Sequence, residues 1–161
     1  MGRIYKEKLR RFDGPFFEPS SQHKLTPSYH ATLLGLSWLA NYLIIMHAAD
    51  IHTVGGYFGT ALHVASHFGH VDAVRVLLYH GAHVNARYGT YCMPLHLASQ
   101  NGQERVVELL LRYGADINAR TAYLEDTPLY LAAKLGHSEV VQLLLGHGTD
   151  VHVEDIPNVF V

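Results

Sequence analysis

Thr127-Pro128-Leu129-Tyr130-Leu131-Ala132 has two counterparts earlier in the chain, Thr60-Ala61-Leu62-His63-Val64-Ala65 and Met93-Pro94-Leu95-His96-Leu97-Ala98. Leu62 and Leu95 stand 33 residues apart, and Leu95 and Leu129 stand 34 apart. The same offsets recur at Gly69, Gly102 and Gly136, and again at Gly81, Gly114 and Gly148. Apolar triplets keep the phase: Val76-Leu77-Leu78, Leu109-Leu110-Leu111 and Leu143-Leu144-Leu145. A period of this length marks a stack of supersecondary units.

Local chemistry gives each unit the same shape. Thr60 and Thr127 sit where a helix wants an N-cap, and Pro128 follows at the first helical position, where a missing N–H costs nothing. Gly69 stops the first helix. A second helix follows over residues 71–80, with Val71, Val74, Leu77 and Leu78 at helical spacing, and Gly81 ends it. Residues 82–92 have turn chemistry and predict an extended finger. Neither helix can bury its apolar face alone, so each unit needs neighbours. Met93 replaces the capping threonine in one unit, which predicts a helix start weaker by about 1 kcal/mol. The segment over residues 121–126 carries one extra residue, so its finger should lengthen or bulge.

These units resemble ankyrin repeats, on the Thr-Pro-Leu-His-x-Ala start and on an end best seen in Gly114-Ala115-Asp116-Ile117-Asn118-Ala119. Gly55-Gly56-Tyr57-Phe58-Gly59-Thr60-Ala61-Leu62 and Leu33-Leu34-Gly35-Leu36 are similar to the wording of ankyrin arrays in filamentous fungi. The resemblance implies an all-α solenoid of helix–turn–helix units with extended, β-hairpin-like fingers. About four repeats are expected, near residues 25–54, 55–87, 88–120 and 121–154, within a repeat domain over residues 25–155. Residues 1–24 form an extension or linker, rich in breakers such as Asp13-Gly14-Pro15, although Phe12, Phe16 and Phe17 could dock on the first repeat. Residues 155–161 form a tail. The first repeat is degenerate; placing His30 at the position of His63 puts Gly35 one residue early.

Composition narrows function. The 161 residues are 48% hydrophobic and 16% charged, with a net charge of −2. That balance argues against disorder and offers no clustered excess of cations for nucleic acid. One cysteine, Cys92, leaves no internal disulfide framework, in keeping with an intracellular, cytoplasmic setting, the nucleus also open. The apolar stretch over residues 31–49 is interrupted by Thr32, Ser37, Asn41 and His47, so it reads as a buried pair of short helices rather than a membrane span.

Thirteen histidines invite a metal reading, and His63, His67 and His70 fall at i, i+4 and i+7. Register absorbs most of them: His63 belongs with His96, and His70 with His137. No metal site and no cofactor are expected. His47, His80 and His147 share a helix-end position, where a titrating cation would bring pH sensitivity. Ser66 and Ser99 occupy a small-residue packing position, Cys92 lies on a finger, and no nucleophile or phosphate-loop motif is present. Catalysis is therefore not expected.

The resemblance implies a concave surface lined by fingers and first helices. Its variable positions are Tyr57, Phe58, His67, Phe68 and Arg87, then Thr90, Tyr91, Gln100, Asn101 and Arg120, then Tyr123, Leu124, Lys134 and Leu135. Taken singly, each also reads as solvated surface or local packing. Together they are rich in aromatics and include arginine, the residue types that anchor protein interfaces. The expected function is non-catalytic binding of a partner protein. Two other readings stay open: a segment of a larger fungal NTPase-ankyrin signalling or scaffold protein, and a stand-alone inhibitor of an enzyme. With no polar capping repeat after the fourth unit, end-to-end self-association is a further option.

Overall fold

Three threonines begin helices, each in extended backbone conformation: Thr26, Thr60 and Thr127. Thr26 Oγ1 accepts the Tyr29 N–H at 3.2 Å, and Thr127 Oγ1 accepts the Tyr130 N–H at 3.1 Å. They open α1 (Pro27–Leu33), α3 (Ala61–Phe68) and α7 (Pro128–Lys134); α5 (Pro94–Gln100) starts after Met93. Each is followed by a second helix: α2 (Ser37–His47), α4 (Val71–Tyr79), α6 (Glu104–Arg112) and α8 (Ser138–Gly146). The computed structural model describes residues 26–47, 51–55, 58–88, 92–122 and 124–151, and these eight are the helices among them. The expected residues 1–24 extension and residues 155–161 tail lie outside the described residues.

Helices of seven to eleven residues are too short to persist alone in water. They persist here by stacking in two rows. The first helices form one row, α1–α3–α5–α7, and the second helices form the other, α2–α4–α6–α8. Packing is more extensive along the first row than along the second. Leu62, Leu95 and Leu129 occupy equivalent places in successive layers and are 1%, 1% and 3% exposed. Ala65, Ala98 and Ala132 are fully buried behind them, as are Leu77, Leu110 and Leu144 of the second row. Each buried leucine contributes about 1.5–3 kcal/mol relative to exposure.

The fingers are extended, held by single antiparallel bridges at Gly55–Gly59 and Tyr88–Cys92. The fourth finger is longer. Tyr88 pairs with Cys92 four residues on, whereas the Thr121 N–H reaches the Asp126 carbonyl five residues on, and the Asp126 N–H returns to Thr121 Oγ1 at 3.0 Å. The extra residue is absorbed near Glu125, which takes a φ of 54°.

The first layer corrects the register expected for it. Its cap is Thr26, so the third helical residue, equivalent to His63, is Tyr29 and not His30. Tyr29 is buried, while His30 is exposed and turns its Nδ1 to the Thr26 carbonyl of its own helix. Gly35 then falls six residues after Tyr29, as Gly69 falls six after His63. The layer's divergence lies elsewhere. Ser28 stands where the other layers bury leucine. One residue is also added between Ser37 and Ile51, 14 positions where Val71 to Val84 takes 13. Residues 31–47 do form two short helices, but not a buried pair: Leu34, Trp38, Tyr42, Ile45 and Met46 are all exposed.

The third helical residue ties each layer to the next. His63 Nδ1 accepts the Thr60 N–H at 3.3 Å and lies 2.8 Å from Thr60 Oγ1, which leaves Nε2–H to donate to the Cys92 carbonyl at 3.1 Å. His96 repeats this, with the Met93 N–H on Nδ1 at 3.3 Å and Nε2–H donating to the Ala119 carbonyl at 3.0 Å. In the first layer Tyr29 serves instead, its hydroxyl accepting the Phe58 N–H at 3.4 Å. A second tie runs backwards. His137 Nε2–H donates to the Gln100 carbonyl at 2.9 Å, and its ring covers Gly102, where a Cβ would come within 2.7 Å of Nδ1. His70 likewise lies across Gly35, and Gln103 across Gly69. A third tie joins the outer turns, where Asn85 Nδ2–H donates to the Gly114 carbonyl and Asn85 Oδ1 accepts the Asp116 N–H at 2.9 Å.

Met93 is buried, so its thioether adds packing while supplying only a weak acceptor at the helix start. A threonine in its place would gain about 1 kcal/mol of cap and lose burial of similar or larger size.

Burial pushes His63 from the ordinary histidine range down to about 4, against the opposing pull of the Cys92 and Ala86 carbonyls. Burial also lowers His67, His70 and His96. A histidine whose folded pKa lies below its unfolded value of 6.5 takes its proton more readily when unfolded, so stability rises with pH between the two. The full contribution therefore stands above about pH 6.5 and is lost as pH falls toward 4. The urea midpoint is expected to be lower at pH 5 than at pH 7.5, and His63→Gln is expected to flatten that difference while destabilising the protein at pH 7.5. A midpoint independent of pH over this range would contradict it. The same measurement tests two orphan hydroxyls: Ser66 Oγ and Ser99 Oγ are fully buried with no hydrogen-bond partner. Alanine already fills their register place at Ala133. Ser66→Ala and Ser99→Ala are each expected to raise stability by about 1 kcal/mol.

Candidate functional site

The last turns of the first helices place two columns of side chains on the fingers' side of the stack. One runs Leu33, His67, Gln100 and Lys134; the other runs Leu34, Phe68, Asn101 and Leu135. Phe68, Gln100, Lys134 and Leu135 are exposed, Asn101 is half-buried, and His67 is buried. Finger residues flank them. Phe58 is half-buried, Arg87 and Leu124 are exposed, and Arg120 is half-buried. Tyr57, Thr90, Tyr91 and Tyr123 lie outside the described residues.

Phe58, His67 and Phe68 come together. The His67 ring lies 4.6 Å from Phe58 and 4.7 Å from Phe68, and the two phenyl rings meet edge-on at 5.3 Å. His70 stacks on the far side of Phe68 at 5.9 Å. Asn101 Nδ2–H donates to His67 Nδ1 at 3.0 Å and to the Leu97 carbonyl at 2.8 Å, fixing the cluster to the next layer. Burial lowers the His67 pKa, so its imidazole is neutral near pH 7 and serves as an acceptor. The cluster is a rigid aromatic floor with Phe68 at its exposed edge.

The charged members are spread more widely. Arg87 lies close enough to His96 to oppose its protonation. Arg120 pairs with Glu125 at 3.4 Å, and Lys134 sits 5.3 Å above the Tyr130 ring. These two cations are thus already engaged within the fourth layer, whereas Leu124 and Leu135 beside them are 75% and 50% exposed. Leu33, Leu34 and Tyr130 belong to the same surface and were not among the residues expected there. The Thr26-Pro27 pair could have revealed the first two, because it repeats Thr127-Pro128 and sets the correct register.

His63 and Cys92 are both held in packing. Both His63 nitrogens are occupied, so it has no lone pair for a metal. Among the described residues no group of three or more His, Cys, Asp or Glu stands together as metal ligands. The Cys92 thiol is pushed up to about 12, chiefly by burial and further by the charge of Asp126. Of the helix-end histidines, His80 Nε2 meets Asn41 Oδ1 at 3.0 Å and His147 Nδ1–H donates to the Leu143 carbonyl at 2.8 Å. The His47 side chain lies outside the described residues.

A family model for ankyrin repeats, spanning three copies of the unit, matches residues 29–121 and again residues 89–155. The chain belongs to the ankyrin repeat family. No curated protein matches it. Ankyrin repeats are protein–protein interaction modules, and the fold is in general a non-catalytic scaffold. No helix among the described residues is long and apolar enough to cross a membrane.

A thiol held protonated reacts slowly. Cys92 is expected to label with a disulfide reagent far more slowly in the native protein at pH 8 than in urea. Equal rates in the two states would show the thiolate to be accessible.

Proposed function

We propose that this ankyrin array binds a partner protein, without catalysis, through the surface made by the last turns of its first helices and its fingers. The observation that carries the reading is the Phe58–His67–Phe68 floor. It is preorganised by ring contacts and by Asn101, and Leu124 and Leu135 are exposed two layers further along. A surface rigid before binding loses little side-chain entropy on association. Aromatic and leucine side chains supply the desolvated area, and Arg87, with Lys134 and Arg120 at the fourth layer, selects carboxylates on the partner. Tyr57, Thr90, Tyr91, Tyr123, Gln100 and Asn101 complete the proposed set. We place the protein inside the cell, in keeping with a single cysteine and no disulfide within the chain.

The test compares affinity capture by the wild type, by a Phe68→Ala/Leu124→Ala/Leu135→Ala variant, and by Tyr79→Ala, which alters an exposed aromatic of the second row. Partners held by the wild type and by Tyr79→Ala are expected to be lost from the triple variant, with circular dichroism unchanged in all three. Equal recovery by the triple variant would place recognition on another surface.

A further inference from the structure

The second helices α4 and α6 leave a small hollow between them, lined by Val71 and Arg75 from α4 and by Arg105, Glu108, Leu109 and Arg112 from α6. Its volume is about 180 Å³. Val71 and Leu109 are half-buried against the core and give it an apolar base, and the three arginines are exposed. Six lysines and arginines stand among the described residues, and half of them meet here. The others, Arg87, Arg120 and Lys134, belong to the finger side. Charge in the hollow is not balanced. Arg112 Nη2–H donates to Glu108 Oε1 at 2.6 Å, which occupies the one carboxylate of the lining. Arg75 and Arg105 have no ion pair among the described residues. Three guanidinium charges less one carboxylate leave two positive charges around a space that holds few atoms. Register puts the opposite sign at the neighbouring gaps. The place of Arg105 is taken in α4 by Asp72, which lines a separate hollow with Ser37 of α2, and in α8 by Glu139. The place of Arg75 is taken by Asn41, Glu108 and Gln142. The basic hollow is therefore one layer wide.

We infer that this hollow binds a single phosphate dianion, either the free ion or a phosphomonoester. Arginine meets oxyanions through a planar fork of donors, often two bonds at a time. A phosphoryl group carries roughly two negative charges at pH 7 and presents three acceptor oxygens. It therefore matches both the net charge of the lining and the donors that arrive from two helices. A single carboxylate brings one charge and leaves the second unmatched. An extended polyanion is disfavoured, because a chain leaving the hollow along the second row meets Asp72 on one side or Glu139 on the other. The site lies wholly on second helices, so it is independent of the surface proposed for a partner protein.

The test titrates sodium phosphate into the isotope-labelled full chain, with ionic strength held low and constant by sodium chloride, since salt screens exposed charges. The Nε–H resonances of Arg75 and Arg105 are expected to shift together along one saturable curve. Arg75→Gln and Arg105→Gln are each expected to weaken binding by about tenfold, with circular dichroism unchanged. Glu108→Gln is expected to strengthen binding severalfold by releasing Arg112, a direction that loss of fold cannot produce. O-phosphoserine amide binding at least as tightly as inorganic phosphate would assign the site to a phosphorylated side chain; weaker binding would assign it to the free ion. Glutarate binding as tightly as phosphate, a response that does not saturate, or an affinity unchanged by Glu108→Gln would overturn the inference.

Discussion

An imidazole buried at the third position of a short helix does two tasks at once in the middle layers. In His63 and His96, Nδ1 satisfies an orphan N–H at the helix start, and Nε2–H satisfies a carbonyl in the following layer. Both acceptor and donor are needed at once, so the imidazole must be neutral and in one tautomer. Burial enforces the neutral form. In these two layers the helix start and the layer-to-layer bond therefore run through one ring. In the first layer the two tasks are divided: Thr26 Oγ1 caps the helix, and the Tyr29 hydroxyl reaches the next layer as an acceptor of the Phe58 N–H.

That coupling explains which features were legible in the sequence. Leu62, Leu95 and Leu129 recur because every layer presents the same hole, and Gly69 and its partners recur because a helix end there must turn with positive φ. The longer fourth finger could be counted from the 34-residue offset. The first layer was harder, because matching letters favoured His30 over Tyr29 although the cap at Thr26 decides the alignment. The exposed side of α2 was not legible at all. Hydrophobic content over residues 31–47 says that the segment is apolar, not which side a neighbour covers.

The candidate surface was legible only as a set of positions. Register named the columns containing His67 and Phe68, but the ring contacts with Phe58 and the bond from Asn101 depend on side-chain geometry that spacing does not encode. The engagement of Arg120 by Glu125 likewise depends on the turn at Glu125, where φ is positive. Residues fixed by the stack and residues free to choose a partner alternate along the same helices. Recognition can therefore change while the frame persists.

The places where length varies follow a pattern. One residue has been accommodated near Glu125, in the fourth finger, and another between Ser37 and Ile51. Neither lies in the stretch from capping residue to glycine, where the ties between layers are concentrated. Within this chain, then, length varies outside the stretch from capping residue to glycine, while that stretch keeps one count in every layer.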